Sequence, residues 1–339
     1  MSEPSPCCAG RVAAETDSTP AADPALDATP TARPLPERAA PQRRGLVAVP
    51  GGTFAMGDHF DEGYPADGET PVHDVVLSPY LIAPTPVTNA QFATFVKATG
   101  WVTDAEDLGV SAVFHLAYGG ERRHVLHQVA ATPWWLAVRG ADWRHPEGPG
   151  SDVTKRQNHP VVHVSWRDAQ AYCAWSGTVL PTEAQWEHAA RGGLAGARYP
   201  WGDELTPKGR WRMNIWQGTF PTANTLDDGH LTTAPVKSYP PNGLGLHQTS
   251  GNVWEWCADW FSPTFYAESP TADPTGPEGP GEVELRVMRG GSYLCHDSYC
   301  HRYRVAARSS NGPDAASANI GFRVANPAQG HQHHEKRTP

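Results

Sequence analysis

The chain has 339 residues, a net charge of −9, 33 glycines, 33 prolines and 13 tryptophans. Such a length suits one large core or two modest ones. The acidic balance argues against a nucleic-acid binder, which needs a basic face to neutralise phosphates, and no apolar run reaches the roughly 20 residues of a membrane-spanning helix. Abundant glycine and proline beside many aromatics, at a mean hydropathy of −0.50, predict a loop-rich fold in which tight turns hold large side chains together. No apolar signal segment opens the chain, so a cytoplasmic location is expected.

Residues 1–45 are rich in Ala, Pro, Thr and charge. They hold too little apolar surface to offset their ordering entropy, and are expected to be disordered, with Cys7 and Cys8 among them. LVAVPGGTFAMG (46–57) alternates as a strand followed by a turn. Helical spacing, a Thr88 or Asn89 cap and a glycine stop predict a helix over 87–100. Ser165 caps a second helix ending at Gly177. LPTEAQWEHAARGG (180–193) is a third, with Thr182 and Gln185 spaced as a capping box. Cys173, on an apolar helix face, and Cys257, in WEWCADW, read as small buried hydrophobes. Residues 327–339 read as a solvated tail in which His331, His333 and His334 cluster. The expectation is one α+β domain over 46–326 with little regular structure.

Two cysteines stand five apart in RGGSYLCHDSYCHRYR, at Cys295 and Cys300. The spacing is not that of a CxxC redox pair, and a four-thiolate zinc site would need ligands from elsewhere. Two thiolates alone suit Cu(I), which prefers sulfur, and leave room for a third sulfur from a substrate. A disulfide or simple packing would also satisfy the spacing. His296, Asp297, His301, Arg302 and Arg304 surround the thiols with charge, which favours the thiolate form. Upstream, Asn214, Asp227 and Asp228 lie in one polar loop, and Gln248, Asn252 and Glu255 lie in another. Amide and carboxylate oxygens with loop carbonyls suit a hard cation such as Ca²⁺, while the same residues also serve as turn and cap residues.

Taken together, PGGTFAMG, ATPWWLAVRGADWRHPEGPGS, HPVVHVSWRDAQAYCAW, GNVWEW, RGGSYLCHDSYCHRYRVAARS and NIGFRVA resemble the formylglycine-generating enzyme, or sulfatase-modifying factor, family over Leu46 to Ala325. PGGxFxMG and GNVWEW belong to a broad superfamily. WWLAVRGADWRHPEGP and GGSYLCHDSYCHRYR are specific to true members. The resemblance implies a single domain of low regular content related to C-type lectin-like folds. It implies an oxidase that converts the cysteine of a Cys-x-Pro-x-Arg motif in an unfolded sulfatase to Cα-formylglycine, using O₂ and a thiol reductant. Cys295 and Cys300 would hold Cu(I) in near-linear geometry, Ser292 would serve an oxygen-binding pocket, and Trp254 and Tyr299 would be pocket walls or plain core. One Ca²⁺ site would use Asn214, the Ile215 carbonyl, Asp228 and the His230 carbonyl. The other would use Gln248, the Gly251 and Val253 carbonyls and Glu255.

The chain departs from the family pattern in three places. Gln248 stands where Asn is usual, so its oxygen is displaced. Val324 stands where secreted animal members carry the cysteine that pairs with Cys173's counterpart. Val110 stands where they carry an aspartate that meets the client arginine, and Asp104, Glu106 and Asp107 lie nearby. Two alternatives remain at this stage. One is a non-catalytic lectin-like binding module or inactive paralogue, which would not need the cysteine pair. The other is a non-haem iron sulfoxide synthase, for which His159 and His163 have the HxxxH spacing but Ser165 replaces the required Glu.

Overall fold

The computed structural model describes residues 29–326. Four short helices form: α1 (Asn89–Thr99), α2 (Asp104–Leu108), α3 (Trp166–Ser176) and α4 (Glu183–Arg191). Helices of this length are marginal in water by themselves, and each is closed at both ends. Thr88, Thr103, Ser165 and Thr182 accept from the third helical amide, and the side chains of Gln91, Glu106, Asp168 and Gln185 answer to the cap amides. Gly100, Gly109, Gly177 and Gly192 end them with φ between 61° and 69°, where a side chain would be strained. Five small sheets fill the rest.

The stretch expected to be one strand over 46–57 is two, Val47–Val49 and Gly52–Met56, in different sheets. Pro50 and Gly51 separate them. A Cβ on Gly51 would lie 2.1 Å from the Leu77 carbonyl oxygen, so only glycine lets the chain turn so close to the neighbouring strand. Val47–Val49 pairs with Tyr80–Ile82, which pairs in turn with Ala325–Asn326. The two ends of the domain are thereby joined. The central sheet runs in the order Arg308–Asn311, Arg286–Arg289, Trp254–Trp260, Ile320–Gly321. Its third strand is the WEWCADW segment. A further three-stranded sheet is built on Trp135–Arg139, flanked by Val110–Phe114 and Val125–Gln128.

The largest apolar cluster joins Phe92, Phe95, Trp143, Tyr172, Trp254, Trp256 and Phe322, and it contains Cys173, Cys295 and Cys300. Val324 is in the same cluster as Cys173. Beside this cluster runs a buried ionic network. Glu183 holds Arg289 at 2.9 Å and Arg308 at 2.7 Å, and Glu187 holds Arg191 at 2.6 Å as well as Arg289. Arg304 forks onto Glu69 at 2.8 and 2.9 Å, and Arg302 onto Asp67. In a core with little regular backbone these forks tie loops that hydrogen-bonded ladders do not reach.

The folded unit begins earlier than the expected boundary at residue 46. Thr31 and Arg33 bind the Asp107 carboxylate, the Ala39 amide donates to the Ala174 carbonyl at 2.9 Å, and the Gln42 amide donates to the Gly177 carbonyl at 3.1 Å. Composition misses this docking because it uses backbone and ionic contacts rather than apolar area. Cys7, Cys8 and the tail histidines lie outside the described residues. Among the described residues no helix is long and apolar enough to cross a membrane.

Glu183→Ala should leave the buried Arg308 without its carboxylate and Arg289 with Glu187 alone, and cost about 3–5 kcal/mol. Urea melts should show this loss, while Glu121→Ala, at an exposed ion pair with Arg123, should leave the midpoint nearly unchanged.

Candidate active site

Gly290 and Gly291 bring the cysteine loop into place. Both have positive φ, 93° and 71°. A Cβ on Gly291 would lie 2.8 Å from the Arg302 carbonyl oxygen, so the loop can cross its own return strand only with glycine there. Beyond the turn, the Cys295 amide donates to the Ser292 carbonyl at 3.0 Å and the Cys300 amide donates to the His296 carbonyl at 2.6 Å. These turns fold the five-residue spacing back on itself. The two sulfurs end 3.1 Å apart, well beyond the roughly 2.05 Å of a covalent disulfide.

Polar groups converge on the pair. The Ser292 amide points at the Cys295 sulfur at 3.3 Å, and the Arg302 guanidinium lies 3.9 Å from the Cys300 sulfur. Arg302 is itself held by Asp67 and stacks on the Tyr64 ring at 4.2 Å. The Ser292 hydroxyl accepts from the Asn319 side-chain amide at 3.0 Å, and Asn319 accepts from the Ser317 hydroxyl at 2.7 Å. Burial holds the His301 imidazole below its ordinary pKa, with Arg304 acting in the same direction.

Both sulfurs are covered: Cys295 is 1% exposed and Cys300 0%. An open face was expected. The intervening turn is the outermost layer here, for Asp297 and Ser298 are exposed and Tyr299 half-buried. Tyr299 stacks on Phe220 at 4.2 Å and meets Trp134 edge-on at 4.8 Å. Trp254 is fully buried in the apolar cluster that holds both cysteines. An incoming thiol therefore has to move the 296–299 turn or its aromatic neighbours.

As a donor set the pair suits a soft monovalent ion: two adjacent sulfurs with a guanidinium to offset negative charge. With the sulfurs 3.1 Å apart, the two side chains would have to rotate apart to hold one ion between them. Among the described residues no group of three or more His, Cys, Asp and Glu is placed to hold a metal.

The loops expected to bind Ca²⁺ carry a different signal. Asn214 Oδ1 and Gln248 Oε1 are buried side-chain acceptors with no hydrogen-bond partner, a costly state that a cation would relieve. Asp228 accepts from the Ile215 amide at 3.1 Å and the His230 amide at 2.9 Å, and burial raises its pKa. Gln217 also reaches Asp228 at 2.8 Å and the Ile215 carbonyl. The Gly251 backbone packs on Asn214, where a Cβ would lie 2.3 Å from the Asn214 carbonyl oxygen. The second loop fits less well. Glu255, on the same strand as Trp254 and just beyond Val253, already accepts from Arg323 and, at 2.7 Å, from Trp186. Gln248 donates to the Pro235 carbonyl.

His159 and His163 are not iron ligands in waiting. His163 is fully buried, and its two ring nitrogens meet the Ser111 hydroxyl at 2.7 Å and the Pro146 carbonyl at 2.8 Å. His159 bonds the Thr233 hydroxyl at 3.0 Å. Of the acids near Val110, Asp107 is bound by Thr31 and Arg33, and Glu106 by Arg144. Sequence reasoning missed Asp67, Tyr64, Asn319, Trp134 and Phe220, which come from distant loops.

The family model for the sulfatase-modifying factor enzyme 1-like domain matches residues 31–328. This chain belongs to the sulfatase-modifying factor family. The formylglycine-generating enzyme of Streptomyces coelicolor is 67% identical over 304 residues, covering 90% of this chain and 94% of that protein. The inactive C-alpha-formylglycine-generating enzyme 2 of Bos taurus is 43% identical, covering 85% and 89%. The structure of PvdO from Pseudomonas aeruginosa superposes with a TM-score of 0.61 at 25% identity, covering 84% of this chain and 94% of that one. In this chain a single mixed α+β domain of low regular content carries the site.

Proposed function

We propose that this protein is a formylglycine-generating enzyme that oxidises the cysteine of a Cys-x-Pro-x-Arg motif in an unfolded sulfatase to Cα-formylglycine. The observation that carries the reading is the sulfur pair at 3.1 Å, beside the Ser292 amide and the Arg302 guanidinium. Relatives that bear the enzyme's name support it, at 67% identity over nearly the full length. The client carbon gives up two electrons as its C–S bond is exchanged for C=O, and its sulfur leaves as hydrogen sulfide. O₂ takes four electrons, one oxygen atom ending in the aldehyde and one in water, and two thiols of a reductant supply the other two electrons, leaving as a disulfide.

Cys295 and Cys300 would hold Cu(I), which supplies a binding point for the client thiol and for O₂. The chain's own residues do the rest. Arg302, anchored by Asp67, offsets charge on the sulfurs. Ser292, fixed by Asn319, keeps a hydroxyl dipole beside them. Trp254 and Tyr303 belong to the same apolar cluster as the pair and exclude water. Tyr299, Phe220 and Trp134 form an aromatic rim that can grip an extended client. Ca²⁺ at the Asn214–Asp228 loop, with the Ile215 and His230 carbonyls, would stabilise the segment behind the site. The Gln248, Gly251, Val253 and Glu255 loop is the weaker candidate. The same reading takes the protein to be cytoplasmic, where its thiols stay reduced. Covered sulfurs and a relative named inactive favour a second reading, an inactive paralogue.

Mass spectrometry decides between the two. A Cys-x-Pro-x-Arg peptide incubated with the protein, Cu(I), O₂ and a thiol should gain an aldehyde or its hydrate. Cys295→Ala and Cys300→Ala should each abolish the conversion while keeping the melting temperature within a few degrees. An unconverted peptide establishes the inactive paralogue. Removal of Ca²⁺ with a selective chelator should lower the melting temperature by several degrees, because a ligand bound only to the native state stabilises it. An unchanged melt rejects the calcium sites.

A further inference from the structure

Ser292 holds Cys295 through its own backbone. Its carbonyl accepts from the Cys295 amide at 3.0 Å, and its amide points at the Cys295 sulfur at 3.3 Å. Its hydroxyl accepts from the Leu294 amide at 3.3 Å, which closes the turn from within. A further tie comes from Asn319, 27 residues along the chain, whose side-chain amide reaches the Ser292 hydroxyl at 3.0 Å. Asn319 stands on a fixed mount. The Ser317 hydroxyl donates to its side chain at 2.7 Å, and its backbone carbonyl accepts from the Trp254 amide at 2.8 Å. Just before it, the Ala316 carbonyl accepts from the Ser111 hydroxyl at 3.0 Å and the Ser317 carbonyl from the His163 amide at 2.9 Å. The Ala318 amide donates to the Ala112 carbonyl at 3.0 Å.

Ser111, His163, Ser292, Ser317 and Asn319 are all buried. A buried polar side chain costs desolvation unless it is bonded, and an apolar one would fill the place of Asn319 without that cost. A satisfied chain of buried hydrogen bonds fixes one arrangement of the segments that it joins. Here it joins the 316–319 segment, clamped by Ser111 and His163, to the turn that carries the first cysteine. A hydroxyl both donates and accepts, so either end of the Asn319 amide holds Ser292.

We propose that Asn319 is a positioning residue for the sulfur pair, acting through the Ser292 hydroxyl to hold the 292–295 turn, and with it the Cys295 sulfur, beside Cys300. The proposal rests on the pair being the reacting site. Its test uses neither copper nor client, so a protein that shows the effect and converts no peptide loses that reading and keeps this inference. The full chain is equilibrated in glutathione buffers, and the Cys295–Cys300 crosslink is read by mass spectrometry of its peptides. Oxidised glutathione takes two electrons and two protons from the two thiols and leaves as two molecules of glutathione, while the two sulfurs join. The equilibrium therefore reports how well the reduced pair is placed. Without the tie the reduced turn gains freedom that the disulfide denies it, so the dithiol is favoured. Asn319→Ala should shift the glutathione ratio at half-oxidation about tenfold toward the dithiol, the scale of one hydrogen bond. In a Ser292→Ala background the same change should add no further shift, because Asn319 acts through that hydroxyl. Ser317→Ala, which frees the amide and keeps the backbone contacts, should shift the ratio the same way by about threefold, and it decides the matter where Asn319→Ala does not fold. A parental ratio in Asn319→Ala, a full additional shift in the Ser292→Ala background, or a parental ratio in Ser317→Ala overturns the proposal.

Discussion

Arg302, Arg304 and Arg308 leave one short stretch of chain and enter three acidic partners, Asp67, Glu69 and Glu183. All three guanidinium groups are buried. That stretch begins directly after Cys300 and carries no strand until Arg308. Backbone turns set the two cysteines side by side, but no ladder holds the stretch that follows Cys300. The carboxylates hold it instead, from a loop near the start of the domain and from the first turn of α4. A buried ion pair costs desolvation, and its net stabilisation is small. What it offers here is placement, because a fork of donors matches a carboxylate in one geometry only.

Placement matters because the proposed chemistry needs little else. Two sulfurs must be adjacent, mobile enough to part, and reachable by a client thiol. The structure supplies adjacency through the Gly290–Gly291 turn and the 296–299 turn. It supplies a compensating charge through Arg302. It does not supply access at rest, since both sulfurs are covered. The rim over them is a short turn with an exposed middle and a tyrosine clasped between two aromatic neighbours.

The parts legible in the sequence are those set by local chemistry. Helical spacing with caps at Thr88 or Asn89, at Ser165 and, with Gln185 three residues on, at Thr182 marked three helices, and the glycines marked where they end. Helix α2 carries the same signature, Thr103 with Glu106 before Gly109, but its five residues are too few to show helical spacing. The strand over 46–57 failed at Pro50-Gly51, where a contact with the distant Leu77 carbonyl decides the path. The N-terminal boundary failed because residues 31–42 dock through hydrogen bonds and charge, and composition registers only apolar area. In the site, the cysteines and Ser292 could be read from their motif. Asp67 is 235 residues away from Arg302, and no pattern within one sequence pairs them. Burial of the sulfurs was equally invisible, because it depends on residues from distant segments that gather with both cysteines in one apolar cluster, Phe92, Tyr172 and Trp254 among them.

The account stands on a sulfur pair able to take up one soft metal ion. Anaerobic titration of Cu(I) against a competing chelator, with the parent and each single cysteine variant, measures this without any client. The parent should bind one tight equivalent more than either Cys295→Ala or Cys300→Ala. Equal uptake by all three proteins would contradict the account.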